Sequence, residues 1–523
     1  MSMHTPGASP LVTLAPRLRE AFLAQGYDAD TLLAILGDDG HDALGRGEPV
    51  PVRRAAAGAG HASTLIRLLL VGDDCPRGEA AAALAPVDID EAVAAGLLEA
   101  DGDSVRAALD VRPMDLGAGT RWMISDLDGS MRARATAPDH VLGVGHASLS
   151  LLRATPTAPA DAVLDVGTGC GVQAVHAAGY ARRVAATDVS ARALEFAAAG
   201  CVLNDVDVEL LRGPWYGPAA GRRFDRIVAN PPFVVGRGTV DHTYRDSGLP
   251  LDGASETMIS GALAHLAPHG VATMLASWVH LRGEDWRSRV AGWLPDDGLE
   301  AWVVQRDVAD PALYVGTWMR DAGLDPRDPA HAALADDWLA HFEAAGVEGV
   351  GFGFVYLQRT DEPTSVTAED LRHGFDDPLG DEALDHLARA AWLRRADVAS
   401  SRFRFDAATA LERVLLPTAA ASSPTGSPGA APGRDAPTAD EATWREAVTR
   451  LHRGGGPRWQ HEVDEASLQL LTGLGRGELT TAQVAGLLAA ARGADADALI
   501  GEATALVTAL VRHGLLRPAA GNP

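Results

Sequence analysis

The sequence predicts an α/β protein in which a doubly wound, mostly parallel sheet occupies the middle of the chain and smaller, mostly helical units flank it. Three observations predict this. Between about Asp126 and Arg359 short apolar runs alternate with helical stretches, the rhythm that builds parallel sheets covered by helices on both faces. Before that region, helical spacings lead into a turn at Asp101-Gly102-Asp103. Towards the other end, Thr418 to Asp440 is Ala, Ser, Pro, Gly and Thr with almost nothing to bury; such a stretch cannot offset the entropy of ordering and is expected to be a disordered linker. The expected units are therefore an N-terminal helical, winged-helix-like unit over 1–125, the sheet over 126–360, a helical extension over 361–417, the linker over 418–440 and a C-terminal helical, winged-helix-like unit over 441–523.

In chain order, Leu14 to Ala24 and Ser63 to Val71 carry helical spacing, Glu79 to Leu84 and Ile89 to Leu97 read as two short helices, and Leu98 to Val111 reads as a hairpin. Helix, helix, hairpin suggests a winged-helix-like unit. Seven strands are expected at Ala162 to Val166, Arg183 to Thr187, Val208 to Leu211, Phe224 to Ala229, Gly270 to Ala276, Leu299 to Gln305 and Gly351 to Gln358. The stretch Arg306 to Val350 between the last two is too long for a simple loop and holds Leu334, Trp338 and Phe342 at i, i+4, i+8. That stripe reads first as core packing, although insertions at such places also shape substrate mouths. After the linker, Ala466 to Leu471, Thr480 to Ala491 and Ala498 to His513 are helical, and Val511 to Arg517 echoes Val93 to Glu99. The end units can be read as nucleic-acid contacts or as packing and docking modules.

The chain has 523 residues, 47% apolar, 22% charged and 5% aromatic, enough for several buried cores at roughly 150 residues per domain. All 45 basic residues are arginine, and against 70 acidic ones they leave a net charge of −25. Without lysine there is no Walker-type phosphate lysine and no Schiff-base lysine. The negative balance disfavours any role built on broad phosphate neutralisation, though a local basic groove stays open. Cys75, Cys170 and Cys201 are odd in number and form no CxxC pair, which points away from a disulfide framework or cysteine zinc site and towards a cytoplasmic setting. No run approaches the ~18 apolar residues of a membrane span, so no membrane partner is expected.

Three motifs carry the chemistry. The first strand of the sheet ends in Asp165-Val166-Gly167-Thr168-Gly169-Cys170-Gly171 and runs into a helix; glycines there let backbone N–H groups and the helix start approach a polar ligand. Gly169, Gly171 and Ala174 also satisfy the relaxed dinucleotide fingerprint. Asp188 closes the second strand, where a carboxylate can accept both hydroxyls of an adenosine ribose or cap the helix that begins near Ser190. Asn230-Pro231-Pro232-Phe233 follows the fourth strand. Its prolines stiffen the turn so that the Asn230 side chain and the Pro231 carbonyl can accept from one planar NH2 group while Phe233 covers the acceptor's flat face.

Together these motifs resemble a class I S-adenosylmethionine-dependent methyltransferase of the amino-group type, with a small methyltransferase domain. That group holds the release-factor glutamine-N5 methyltransferases and the enzymes that methylate adenine or guanine amino groups. The resemblance covers roughly Val141 to Ala276 and implies a Rossmann-like seven-stranded sheet, S-adenosyl-L-methionine as cofactor, Asp165, Gly167, Thr168, Gly169, Cys170, Gly171, Asp188, Trp215 and Asn230 around it, and Asn230, Pro231, Pro232 and Phe233 in catalysis. Trp215, in Pro214-Trp215-Tyr216, matches the adenine-pocket tryptophan of the release-factor branch, whose preceding aspartate is Pro214 here. Val141 to Ser148 stands where the bacterial branch has an Arg-Pro motif, and Gly143, Gly145 and His146 offer a lid over the methionine end.

A sulfonium methyl donor needs in-line alignment and exclusion of water, and no metal. Of His140, His146, His242, His265, His269 and His280, only His265 and His269 have helical metal-ligand spacing, and Pro268 between them breaks that helix. His146 is a secondary candidate for a base. The expected function is methyl transfer to a planar amide or amine nitrogen, with a protein glutamine of a translation factor favoured over an adenine or guanine amine of ribosomal or transfer RNA. An NAD-dependent oxidoreductase and a non-catalytic docking protein are the competing classes.

Overall fold

The computed structural model describes residues 9–58, 60–127, 129, 131, 137–238, 246–372, 374, 379–417 and 444–519. The expected linker over 418–440 and His242 lie outside the described residues. By contact the chain divides into two compact units, Met1–His373 and Gly374–Pro523.

The centre of the first unit is an eight-stranded sheet. Its strands are β1 (Ala160–Val166), β2 (Ala181–Asp188), β3 (Glu209–Arg212), β4 (Phe224–Ala229), β5 (Leu266–Leu281), β6 (Asp297–Ala309), β7 (Val347–Pro363) and β8 (Ser365–Asp370), in the spatial order β8-β6-β7-β5-β4-β1-β2-β3. The pairs β1–β2, β2–β3, β1–β4, β4–β5 and β6–β8 are parallel, and β7 runs antiparallel between β5 and β6. The chain winds outward from β1 to β3 and then returns through β4. This reversal opens a crevice at the carboxyl ends of β1 and β4, the place where doubly wound sheets bind ligands.

Each of the seven expected strands overlaps one of β1 to β7. The eighth, β8, occupies the start of the region expected to be a helical extension. Its residues Ser365 to Glu369 are all half-buried, so no apolar alternation marks it; it is held by its ladder to β6 and by Trp302 Nε1 donating to Glu369 Oε2 at 2.7 Å. Among the described residues, the rest of 361–417 holds the helix Gly380–Leu393 and the strands Arg402–Phe405 and Thr409–Pro417.

The N-terminal residues are mostly helical, with helices at Pro10–Gln25, Ala29–Gly45 and Pro49–Ala55 and a helix from His61 to Leu65 that widens into a π-helical turn through Val71. A three-stranded sheet follows, with Ser104–Ala107 between Cys75–Pro76 and Leu98–Asp101, and the helices Arg77–Leu84 and Ile89–Ala94 lie between its first two strands. A second hairpin, Leu109–Asp115 with Thr120–Asp126, was not expected. These residues do not stand apart from the sheet domain as the expected boundary at residue 125 implies. Leu11, Leu14, Leu18 and Phe22 share one buried core with Phe196, Ala199 and Leu203 of helix Ala191–Asn204. Asn204 seals that seam: its Oδ1 accepts from Trp122 N–H at 2.9 Å, and its Nδ2 donates to the Trp122 and Gly200 carbonyls at 2.8 Å each.

The insertion between β6 and β7 forms helices Pro311–Asp321 and Pro329–Ala345. Trp338 and Phe342 are buried with Tyr314 and Val315 against Val234 and Val235, directly after the Asn-Pro-Pro-Phe motif. The core-packing reading of that stripe therefore holds, and the packing fixes the insertion beside the crevice.

The second unit contains helices Gly380–Leu393, Glu465–Leu474, Thr481–Arg492 and Ala496–Arg512. Arg402–Phe405 pairs antiparallel with both Arg476–Thr480 and Leu516–Pro518. A separate ribbon joins Thr409–Pro417, Trp444–Arg453 and Gln460–Glu462.

Candidate active site

Strand register assembles the site. Val166 of β1 pairs with Thr187 of β2 and with Ala229 of β4, so Gly167, Asp188 and Asn230 are each the first residue beyond one common row. Asp188 in turn pairs with Arg212 of β3, which brings Gly213-Pro214-Trp215 to the same edge. The glycine loop and the proline corner touch: a Cβ on Gly167, whose φ is +75°, would lie 3.6 Å from Pro231 Cα.

The loop is fixed by its own polar groups. Gly167 and Thr168 N–H donate to the Thr187 carbonyl at 2.9 and 3.0 Å, and Thr168 Oγ1 donates to Asp165 Oδ2 at 2.6 Å. Gly169 N–H donates to Asp188 Oδ2 at 2.9 Å and Ser190 N–H to Asp188 Oδ1 at 2.8 Å. Ser190 itself caps helix Ala191–Asn204, so Asp188 braces the loop against the helix start and is not the cap. Burial raises the Asp188 carboxyl above its ordinary range, outweighing the backbone N–H groups that favour its charge. Asp165 is 1% exposed, and burial pushes its carboxyl up to about 7 against the lowering effect of Thr168. Among the described residues its Oδ1 meets no hydrogen-bond donor at bonding distance. Cys170 is likewise buried, and burial pushes its thiol up to about 12, so it is not a nucleophile at neutral pH.

In the proline corner, Asn230 Nδ2 donates to Ser148 Oγ at 3.2 Å. Ser148 lies on helix His146–Ala154, and its carbonyl accepts from Gln173 Nε2 at 2.9 Å. The Phe233 carbonyl accepts from Ser277 Oγ at 2.5 Å, and the Phe233 ring meets Phe352 at 5.4 Å. Val235 N–H donates to the Tyr314 hydroxyl at 2.7 Å.

These pieces enclose a cavity of about 470 Å³, the size of a small-molecule site. Gly167, Thr168, Gly169, Cys170, Asp188, Trp215, Asn230, Pro231, Pro232 and Phe233 all line it. Asp165 and Gly171 are not on its wall. Asp165 holds Thr168 from behind, and Gly171, at φ +86°, faces Ala197 with a 3.1 Å approach for any added Cβ. Gly143 and Gly145 line the cavity as a lid should, whereas His146 stands exposed at the first turn of its helix and is not a lining residue. The helix carrying His265 ends there; His265 stacks on Tyr216 at 4.8 Å and His269 adopts φ +60°. Among the described residues no group of three or more His, Cys, Asp or Glu gathers to hold a metal.

The sequence reading missed Gln173, Val189, Ser247, Trp318 and Asp321 as lining residues. Only the length of the 306–350 insertion hinted at the last two. S-adenosylmethionine fits the wall: Gln173 Oε1 is a buried acceptor without a protein partner, suited to an ammonium; a Cβ on Gly169 would meet nothing within 4 Å; and exposed Val189 beside Trp215 offers apolar cover for a purine.

Residues 142–281 match the family described as methyltransferase small domain, and residues 24–108 and 384–518 match two families described as domains of unknown function (DUF7059 and DUF7782). Over 117 residues the chain is 37% identical to ribosomal RNA small subunit methyltransferase C of Escherichia coli, an overlap of 22% of this chain and 31% of that relative. The chain thus spans about a third of the length of the curated relatives it matches. Among solved structures, a ribosomal protein L11 methylase from Lactobacillus delbrueckii is 27% identical over 25% of this chain and 57% of its own, with a TM-score of 0.19. A T. thermophilus 16S rRNA N2 methyltransferase in complex with AdoMet and guanosine is 19% identical over 48% and 65%, with a TM-score of 0.26. With the glycine loop, Asp188 and the Asn-Pro-Pro-Phe corner around one crevice, residues 142–281 are a methyltransferase small domain of the class I S-adenosylmethionine-dependent type.

Proposed function

We propose that this chain is an S-adenosylmethionine-dependent N-methyltransferase acting on the exocyclic amino group of a base, adenine or guanine, in RNA of the translation apparatus. The observation that carries the reading is the contact between the glycine loop and the Asn230 corner across one cavity. The RNA acceptor is supported by the name of the 37%-identical relative. A protein glutamine, the acceptor favoured from sequence, remains the second reading because a net charge of −25 opposes phosphate binding over a broad surface.

When bound, the cofactor supplies a methyl group already activated on a sulfonium. The chain has to hold the acceptor nitrogen in line and keep water out. With Nδ2 of Asn230 engaged by Ser148, its Oδ1 is the atom left to accept from the acceptor NH2, together with the Pro231 carbonyl. Two such acceptors draw the nitrogen towards tetrahedral geometry and aim its lone pair. Phe233 covers the plane of the ring. Asp188 lines the cavity on the side of the loop, where its carboxyl would face the cationic donor. Proton loss follows transfer to solvent, so no strong base is required. The same corner has no task in nicotinamide hydride transfer.

The test is incubation of the full chain with labelled S-adenosylmethionine and a cell extract, followed by RNase or protease. Label released by RNase alone supports the RNA reading. Label released by protease alone transfers the assignment to a protein amide, and no label in either fraction rejects methyl transfer.

A further inference from the structure

Helix Pro311–Asp321 belongs to the insertion between β6 and β7, outside the strands and loops that make the cofactor side of the cavity. Its start is set by Pro311 at the first turn and by Asp310, whose Oδ1 accepts from Leu313 N–H at 2.9 Å. Tyr314, Trp318 and Asp321 follow at i, i+4, i+7 and so share one face. Tyr314 is buried in the core formed with Val234 and Val235. Further along the same face, Trp318 and Asp321 line the cavity with Asn230 and Phe233.

Trp318 is not loosely placed. Its ring meets that of Tyr314 at 6.2 Å and 62°, and Tyr314 is itself fixed through its hydroxyl. The same hydroxyl accepts from Val235 N–H, two residues past Phe233. Tyr314 therefore links the indole, by ring contact, to the backbone of the Asn-Pro-Pro-Phe segment. A tryptophan that is half-buried, held by ring contact with a buried tyrosine and lining a cavity is built to meet a flat apolar ligand surface.

Resting on the reading above, we infer that Trp318 is the acceptor-recognition residue of this site: an aromatic wall on the insertion against which a base, taken out of its stack, is held while Asn230 and Phe233 address its amino group. Tyr314 is its positioning residue. The recognised group is a heteroaromatic base, and a protein amide, which has no ring to stack, gains nothing from Trp318.

The test uses the full chain, labelled S-adenosylmethionine, and total ribosomal and transfer RNA from a strain lacking the gene. Steady-state rates are measured against RNA concentration, and cofactor affinity by calorimetry. Base–aromatic stacking sets the expected loss at about 5- to 150-fold. Trp318→Ala lowers kcat/KM for RNA by that factor, mainly through KM, while the cofactor Kd stays within about 2-fold. Trp318→Phe retains most of the activity, and Tyr314→Phe gives an intermediate rise in KM. Trp318→Leu keeps bulk without an aromatic face and carries the same expectation as Trp318→Ala should the latter lose its fold. Full kcat/KM in Trp318→Leu, or a loss in Trp318→Phe equal to that in Trp318→Ala, overturns the role of Trp318 and leaves RNA methylation standing. Wild-type label that enters protein and never RNA overturns the RNA reading itself, and with it the base.

Discussion

Asp165 offers a quantitative handle on the glycine loop. It is buried behind Thr168, and burial pushes its carboxyl up to about 7, against about 3.9 in an unfolded chain. Between those two values the folded state keeps a proton that the unfolded state has released. Unfolding therefore becomes easier as pH rises through that window, by about 1.4 kcal/mol per pH unit, and levels off above pH 7. From pH 5 to pH 7 the loss is about 2.3 kcal/mol, the slope halving as the carboxyl reaches its midpoint. Asp165→Asn is the matching perturbation. The amide keeps an oxygen for Thr168 Oγ1 and carries no titratable proton, so this slope disappears. The assay is thermal unfolding of wild type and variant at steps of half a pH unit. The quantity read is the difference between their Tm values, in which the other titrating groups largely cancel. The variant gains on the wild type progressively from pH 5 to pH 7 and the gap is constant above it. Asp188, the nearest other carboxyl and itself raised by burial, stays in both proteins. Parallel Tm profiles would refute the reasoning, because they would mean that Asp165 is charged in the fold throughout.

Other predictions test neighbouring parts of the structure. Asn230→Ala lowers the methyl-transfer rate by about 10²- to 10³-fold, the usual effect of losing one preorganised polar contact to the reacting group, while calorimetry finds cofactor affinity nearly unchanged. Gly171→Ala places a methyl group 3.1 Å from Ala197 Cβ at φ +86°; the left-handed conformation alone costs about 1–2 kcal/mol, read as a lower Tm and weaker cofactor binding. Asn204→Ala unties Trp122 from helix Ala191–Asn204 and lowers stability by about 2–4 kcal/mol, since buried backbone groups lose partners at about 1–3 kcal/mol each. In the second unit, Glu382 is buried between Arg389 and Arg453; Glu382→Ala leaves two arginines without their shared carboxylate and costs about 3–5 kcal/mol, seen as early unfolding of that unit in proteolysis.

The site was legible where local chemistry and strand register coincide. Asp165 and Asp188 lie at, and the glycine loop and Asn230 directly after, the carboxyl ends of short apolar strands, and parallel pairing brings such ends to one edge. The echo between Val93 to Glu99 and Val511 to Arg517 was also meaningful: Gly96 and Gly514 both take positive φ between a helix end and a strand. What sequence could not supply came from distant packing. Strand β8 has no apolar alternation because it is a half-buried edge, and Ser148 and Gln173 owe their places to two helices, His146–Ala154 and Val172–Ala177, joined by one hydrogen bond. Trp318 and Asp321 are brought to the cavity by the burial of Trp338, Phe342 and Tyr314 against Val234 and Val235, contacts across 79 or more residues that no local pattern records. The seam between the N-terminal residues and helix Ala191–Asn204 was missed for the same reason: the Ala-rich helix is buried on more than one side, and one partner lies far upstream.

The central claim is that the Asn230 corner carries methyl from S-adenosylmethionine to the amino group of an RNA base. Its most direct test is mass spectrometry of nucleosides from ribosomal and transfer RNA of a strain lacking the gene, complemented with wild type or with Asn230→Ala. The account predicts one N-methylated purine that vanishes on deletion, returns with the wild type and stays absent with the variant. An unchanged nucleoside profile on deletion, or equal restoration by Asn230→Ala, would contradict it.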